Sequence, residues 1–292
     1  CNSGVFCFSA PALLSHLDKL DRNNAQGEYY LTDMLALLAA DGLTVSSMVV
    51  EDDDECLGVN SRSQLATASK IAQRRINERL MADGITMLDP DLVWVGPDCI
   101  VENDVELLPM TMLWGSTRVS SGCVIGPNTR LTDCAIGADN VLEEVVGIET
   151  TTETGVTVGP RAYLRPGTYL CEGAHVGTHV EIKKSTVGPD SKVPHLSYIG
   201  DATIGTDVNI GAGSITCNYD GVNKHQTIIG DFTFVGSNTM LVAPVKLGSN
   251  VVTGAASCIT KDVPDGALAV ERNEQKIVED WTARHFKSKR TS

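Results

Sequence analysis

Two stretches of this sequence carry residue types that move protons and hold anions. The first is Lys192-Val193-Pro194-His195-Leu196-Ser197-Tyr198-Ile199-Gly200-Asp201. The second is Ile215-Thr216-Cys217-Asn218-Tyr219-Asp220-Gly221-Val222-Asn223-Lys224. An imidazole titrates near neutral pH, so a histidine among such neighbours is the natural general base. Of six histidines, His195 lies in the first stretch, with Tyr198 and Asn209 close by in sequence; its alternative is a structural surface histidine. A bound phosphate needs cations that hold it against solvent. Arg165 and Lys183 are single basic residues at turn-like positions, 183 − 165 = 18 residues apart, while Lys184 reads as ordinary surface charge.

That spacing of 18 has meaning because the surrounding chain repeats. From Val95 an aliphatic residue returns every six positions, at Val101, Leu107, Leu113, Val119, Ile125 and Leu131. The beat slips by one to Ile136, gives Leu142 and Ile148, and resumes from Val158 through Leu164, Leu170, Val176 and Ile182. Later members are Ile204, Ile210, Ile229, Val235, Leu241, Leu247 and Ile259. A period of six matches neither a helix nor a long strand. It matches a short strand plus a tight corner, with Gly, Asn or Asp at the bend. Three hexads close a triangular coil of about 18 residues, and residues 95–260 predict roughly nine coils of a parallel β-helix. The alternative is an ordinary sheet with chance spacing. One coil of separation stacks Arg165 and Lys183 on one face. Both quoted stretches break the beat and are expected as loops expelled from the scaffold, where function concentrates.

The N-terminal part has α/β texture. Val5-Phe6-Cys7-Phe8 and Ser46–Val50 predict strands; Ala10–Leu20 and Glu28–Ala40 predict helices. Arg62–Met81, with Leu65, Ala68, Ala72, Ile76 and Leu80 at three- and four-residue steps, predicts one long amphipathic helix ended by Gly84.

Composition narrows the classes. Lys plus Arg is 23 and Asp plus Glu 37, a net charge of −14, which argues against a general phosphate-backbone binder but leaves room for one small basic pocket. No apolar run approaches the ~20 residues of a membrane span, and no leader opens the sequence, so a cytoplasmic protein is expected. Nine cysteines without a CxxC pair predict free thiols. Aromatics are only 5% against 27 glycines, which suits an aliphatic core in a tightly turning backbone.

Hexapeptide repeats of this kind resemble the left-handed β-helix acyltransferase superfamily, from which the left hand is carried over; right-handed crossovers are the general rule. The broken repeats and Arg165-Pro166-Gly167 resemble, almost residue for residue, the acetyltransferase domain of the bacterial bifunctional N-acetylglucosamine-1-phosphate uridyltransferase/glucosamine-1-phosphate N-acetyltransferase family. Asn2-Ser3-Gly4, Asn24–Asp33 and Gly58-Val59-Asn60-Ser61-Arg62 resemble the closing third of its uridyltransferase domain. The resemblance implies four segments: residues 1–61 as a uridyltransferase remnant, 62–84 as a linker helix, 85–268 as the left-handed β-helix and 269–292 as a tail. It also implies acetyl transfer from acetyl-coenzyme A to glucosamine 1-phosphate by a cytoplasmic homotrimer, for cell-envelope precursor synthesis, with no nucleic-acid or membrane partner.

By the same resemblance His195 is the general base, and Arg165, Lys183, Tyr198, Asn209 and Lys224 bind the sugar phosphate. Ala212, Asn218, Tyr219, Ser237, Ala255 and Arg272 contact coenzyme A between subunits, with a backbone N–H near Ala212 a candidate oxyanion donor. Trp281, Arg284 and Lys287 resemble a tail that reaches toward an adjacent subunit. Asn2 and Asn60 match residues that touch UDP-N-acetylglucosamine, and Asn60 also one that touches Mg²⁺ in an intact uridyltransferase domain. Here both could equally be surface or turn residues. The family's triphosphate loop and magnesium-binding aspartate are not in this sequence, so uridyl transfer by it is not expected. One rival is a γ-type carbonic anhydrase, which needs three histidines on zinc and an H-x4-H pair; His175 and His179 are spaced H-x3-H. Another is a non-catalytic β-helix scaffold, which would have no use for His195, Asn218 or Lys224.

Overall fold

A computed structural model describes residues 3–285, without the side chains of Ala283 and His285. Asn2 and Lys287 lie outside the described residues. The chain divides into two compact units, Cys1–Ala72 and Gln73–Ser292.

In the first unit the helices are Ala10–His16, followed by a 3₁₀ turn at Leu17–Lys19, and Asp33–Ala40. Each is shorter than the sequence predicts. Only His16, Met34 and Leu38 are buried there among the described residues. The two helices are tied by His16 Nε2 to Asp41 Oδ2 at 2.7 Å, and Lys19 Nζ reaches the same oxygen at 2.7 Å. Lys19, then His16, hold the Asp41 carboxyl below its usual range. The expected strands at Val5–Phe8 and Ser46–Val50 do not form. A strand exists only where a neighbour accepts its ladder hydrogen bonds, and neither segment has a paired neighbour among the described residues.

The helix Arg62–Ala82 runs as the periodicity predicts. Within the second unit its C-terminal half caps the first coil. Gln73 and Asn77 are buried, and their side-chain amides donate to the carbonyl of Val93 at 2.6 and 2.9 Å. They thereby satisfy a backbone acceptor that no preceding coil can reach. Leu80 joins the core beneath.

Beyond Gly84 the chain winds into a left-handed β-helix of about ten turns. Its strands are two to four residues long and stack into three wholly parallel sheets of 11, 10 and 9 strands. Most turns contribute one inward aliphatic residue per sheet, with threonine taking that place at Thr152, Thr216 and Thr253. Leu107, Ile125, Leu142, Val158, Val176, Val193, Ile210 and Val235 line the first, and all are buried. Leu113, Leu131, Leu164, Ile182, Ile199, Leu241 and Ile259 line the second; Val119, Ile136, Leu170, Val187, Ile204, Ile229 and Leu247 line the third. Burial of each such side chain stabilises by about 1.5–3 kcal/mol.

Two expectations about the beat are corrected. The inward position after Leu142 is Gly147, paired with Leu131 and Leu164; Ile148 is half-buried beside it. A Cβ on Gly147 would come within 2.8 Å of Leu131 Cδ2, so the column narrows there to a glycine that no hydrophobic period could flag. The stretch Lys192–Asp201 is not an expelled loop. It supplies the strands Lys192–His195 and Tyr198–Gly200, with Val193 and Ile199 inward. The second stretch also begins as a strand, Ile215–Cys217, with Thr216 inward, and leaves the scaffold only from Asn218 onward. Lys192 pairs with Asn209 and Asn209 with Phe234, so the coil lengthens from 209 − 192 = 17 to 234 − 209 = 25 residues. The excess forms a loop closed by an antiparallel bridge between Tyr219 and Lys224.

Candidate active site

His195 stands exposed at the corner between the first and second sheets, in register with Thr178 on the preceding coil. Its backbone is fixed from both sides. The His195 carbonyl accepts the Ser197 hydroxyl at 2.8 Å and the Gly213 N–H at 3.3 Å. Leu196 follows with φ +49°, turning the chain sharply away so that the imidazole faces solvent. Along the same corner, one coil at a time, come Ala212, Ser237 and Ala255. The Ala212 carbonyl accepts from Asn238 N–H at 2.7 Å, and the Ser237 carbonyl from Ala256 N–H at 2.8 Å. Arg272 Nη1 donates to the Ala255 carbonyl at 3.3 Å. The corner therefore runs from a charged guanidinium, past three small side chains, to an imidazole.

A second cluster lies on the outer face of the second sheet. Tyr163, Glu181 and Tyr198 pair across three successive strands, and Arg165 and Lys183 follow one another on the same side, as their spacing predicts. Arg165 Nη1 contacts Glu181 Oε1 at 2.7 Å, a bond that raises the guanidinium pKa. Lys183 is 9% exposed, with Nζ 3.9 Å from Asp201 Oδ2. Lys224 reaches this place from the expelled loop. The Lys183 side chain holds its pKa below the usual lysine range, with burial a lesser cause, while Asp201 and Tyr198 act in the opposite sense. Two ammonium groups thus lie in the neighbourhood of one carboxylate, an arrangement with positive charge to spare for an anion.

The remaining expected residues fall elsewhere. Asn209 is half-buried on the first sheet between Lys192 and Phe234. Asn218 is buried at the base of the loop, where its amide donates to Asp201 Oδ2. Tyr219 is exposed and its hydroxyl donates to the Gly221 carbonyl at 2.6 Å. Arg284 donates to the Glu279 carbonyl at 3.0 Å, and Trp281 begins the short helix Trp281–His285. Asn60, in the first unit, is exposed, and its backbone N–H donates to Gln64 Oε1 at 2.8 Å. An amide beside another amide brings no negative charge to a magnesium ion, so these donors do not fit that metal.

Sequence reasoning missed Glu181 and Asp201. Glu181 precedes Lys183 by two positions on one strand, a signal available in principle. The contact of Asp201 with Lys183 follows only from the coil register. His175 Nδ1 lies 2.7 Å from Thr157 Oγ1, and His179 Nδ1 2.7 Å from Thr178 Oγ1. No group of three His, Cys, Asp or Glu side chains suited to a metal occurs among the described residues, so the zinc-histidine rival finds no support. The cysteines described are all free, and burial pushes the Cys99, Cys123 and Cys134 thiols up. Among the described residues no helix is long and apolar enough to cross a membrane.

A parallel three-sheet coil with an inward, mostly aliphatic residue per hexad defines a hexapeptide-repeat β-helix. No family model matches the chain. It is 49% identical over 280 residues to the bifunctional protein GlmU of Desulfitobacterium hafniense, covering 96% of this chain and 62% of that protein. It is 50% identical over 286 residues to that of Heliobacterium modesticaldum, covering 98% and 62%. For that of Kineococcus radiotolerans the identity is 47% over 281 residues, covering 96% and 57%. The chain is homologous to the bifunctional GlmU proteins over nearly all of its own length, and spans about three fifths of theirs.

Proposed function

We propose that this chain transfers the acetyl group of acetyl-coenzyme A to the amine of glucosamine 1-phosphate, giving N-acetylglucosamine 1-phosphate for UDP-N-acetylglucosamine and cell-envelope synthesis. The observation that carries this reading is the stacking of Arg165 and the buried Lys183 on the second sheet, next to the corner that bears His195, with Lys183 Nζ 3.9 Å from Asp201 and Lys224 brought close by the loop. A sugar phosphate seated on those cations leaves its amine free to approach that corner.

The chemistry then follows. His195 takes a proton from the attacking amine; the new N–C bond forms as the thioester C–S bond breaks, and the thiolate leaves to be protonated. Arg165, Lys183 and Lys224 hold the phosphate, and Tyr198 and Asn209 orient the sugar. Coenzyme A lies along Ala212, Ser237 and Ala255, with Arg272 facing its phosphates and Tyr219 beside it. Asn218 acts from beneath, by holding Asp201. The catalytic body is residues 85–268, following the linker helix 62–84, with 1–61 and 269–292 as flanking segments. It works as a cytoplasmic homotrimer whose coenzyme A site is shared between neighbours. Mg²⁺ and uridyl transfer belong to a site that Asn60 does not rebuild. Mass spectrometry of the product formed by the purified chain from acetyl-coenzyme A and glucosamine 1-phosphate tests the proposal: a mass gain of one acetyl group supports it, and unchanged sugar phosphate rejects it.

A further inference from the structure

The expelled loop has an internal clamp that the proposed reaction does not yet use. Asp220 sits at its centre. One carboxylate oxygen, Oδ1, accepts the backbone N–H of Val222 at 2.8 Å and of Asn223 at 2.6 Å. The other, Oδ2, accepts from His225 Nε2 at 2.6 Å. The Asp220 N–H in turn donates to the Asn223 carbonyl at 3.1 Å, and the His225 N–H to the Asn218 carbonyl at 2.8 Å. Lys224 therefore lies between two residues, Asn223 and His225, that are each tied to Asp220. Its own backbone bridges to Tyr219. The base of the loop is anchored by buried Asn218 on Asp201, the same carboxylate that faces Lys183.

This bonding has a physical purpose. Lys224 is exposed and Lys183 is buried, and like charges brought together repel. A free loop would relax by swinging Lys224 into water. The bonds of Asn223 and His225 to Asp220 fix the backbone on either side of Lys224 and so restrict where its ammonium group can go. The Asn223 N–H, and then His225, favour the charged form and hold the Asp220 carboxyl at about 2.

We propose that Asp220 and His225 are positioning residues that hold Lys224 against Lys183 and so set the site's affinity for the phosphate of its sugar substrate. This rests on the acetyltransferase reading above. The clamp acts through Lys224 and touches no reacting atom. Losing a charge-assisted hydrogen bond of this kind weakens an interaction by roughly tenfold or more.

The test is a double-mutant cycle on the 292-residue chain, read as KM and kcat for glucosamine 1-phosphate. His225→Ala should raise that KM about tenfold with much less effect on kcat. His225→Gln, which keeps an N–H donor, should recover most of the loss. In a Lys224→Ala background His225→Ala should add little, because the clamp then has nothing to position. Additive losses in the double variant, or equal falls in kcat for His225→Ala and His225→Gln, would overturn the clamp. Thermal melting of each variant separates loss of fold from loss of positioning. If the parent chain releases no coenzyme A, the acetyltransferase reading itself fails, a result distinct from every outcome of the cycle.

Discussion

Lys224 is held against Lys183, a buried lysine from an earlier coil, and its pKa is lowered chiefly by that neighbour. A lowered lysine pKa means that the fold disfavours the charged form. The unfavourable contribution is present while Lys224 is protonated and is relieved as pH rises through its folded pKa. Lys224→Met should therefore leave the melting temperature unchanged or slightly raised. The same change should raise KM for glucosamine 1-phosphate by roughly tenfold or more. A variant that melts earlier while keeping the parental KM would show that Lys224 serves the fold and not the phosphate.

His195→Ala should lower kcat for acetyl transfer by about 10²–10⁴-fold, the usual loss on removing a general base. Calorimetric binding of glucosamine 1-phosphate should be little altered, since the imidazole is exposed at the corner and its neighbours hold His195 through the backbone. Near-parental turnover at pH 7.5 would exclude His195 as the base.

Gly200→Ala tests the packing behind the sugar site. A Cβ there would stand 2.5 Å from Tyr198 Oη and 2.7 Å from Asn218 Nδ2. Tyr198 Cε1 would stand at 2.8 Å as well, so the Tyr198 ring and the Asn218 amide must shift while the backbone of the coil need not. We expect a higher KM for glucosamine 1-phosphate with a melting temperature close to the parent's. An unchanged KM would mean that Tyr198 does not orient the sugar.

Asp220 titrates abnormally low, at about 2 against an ordinary 3.8. For a depressed carboxylate, the stabilising contribution is present above the unfolded pKa and is lost as pH falls through the folded one. The loop clamp should therefore persist below pH 3.8 and release only near 2. The carbonyl-carbon shift of Asp220 in an acid NMR titration reads this directly. A midpoint near 3.8 would mean that the carboxylate is not bonded as described.

The repeat was legible because most strands of the coil bury one aliphatic residue at the inward position. Leu107, Leu131 and Ile182 could be placed from spacing alone. Gly147 could not, since a glycine at an inward position carries no hydrophobic signal. The same rule explains the misjudged stretch 192–201. Catalytic residue types at outward positions masked the inward Val193 and Ile199, which keep the beat. Arg165 and Lys183 were predictable neighbours because the register between them is one full coil. The approach of Lys224 to Lys183 was not, because it depends on how a loop folds back, which periodicity does not encode. In the first unit, strand-like segments at Val5–Phe8 and Ser46–Val50 state a local preference that only a pairing partner could realise.

The β-helix offers flat sheet faces on which copies can pack around a three-fold axis, with exposed apolar side chains such as Val141, Phe234, Val252 and Leu268 along its first sheet. Light scattering should return three times the 31.1 kDa chain mass. An active monomer would contradict a site shared between subunits.

The most direct measurement is the rate of coenzyme A release by the purified chain from acetyl-coenzyme A, with glucosamine 1-phosphate, with glucosamine, and with no sugar. UTP-dependent pyrophosphate release from N-acetylglucosamine 1-phosphate is followed in parallel with Mg²⁺ present. Release that depends on the sugar, is strongly favoured by its phosphate and is accompanied by no pyrophosphate is the predicted result. Equal rates with and without glucosamine 1-phosphate would contradict acetyl transfer at the His195 corner.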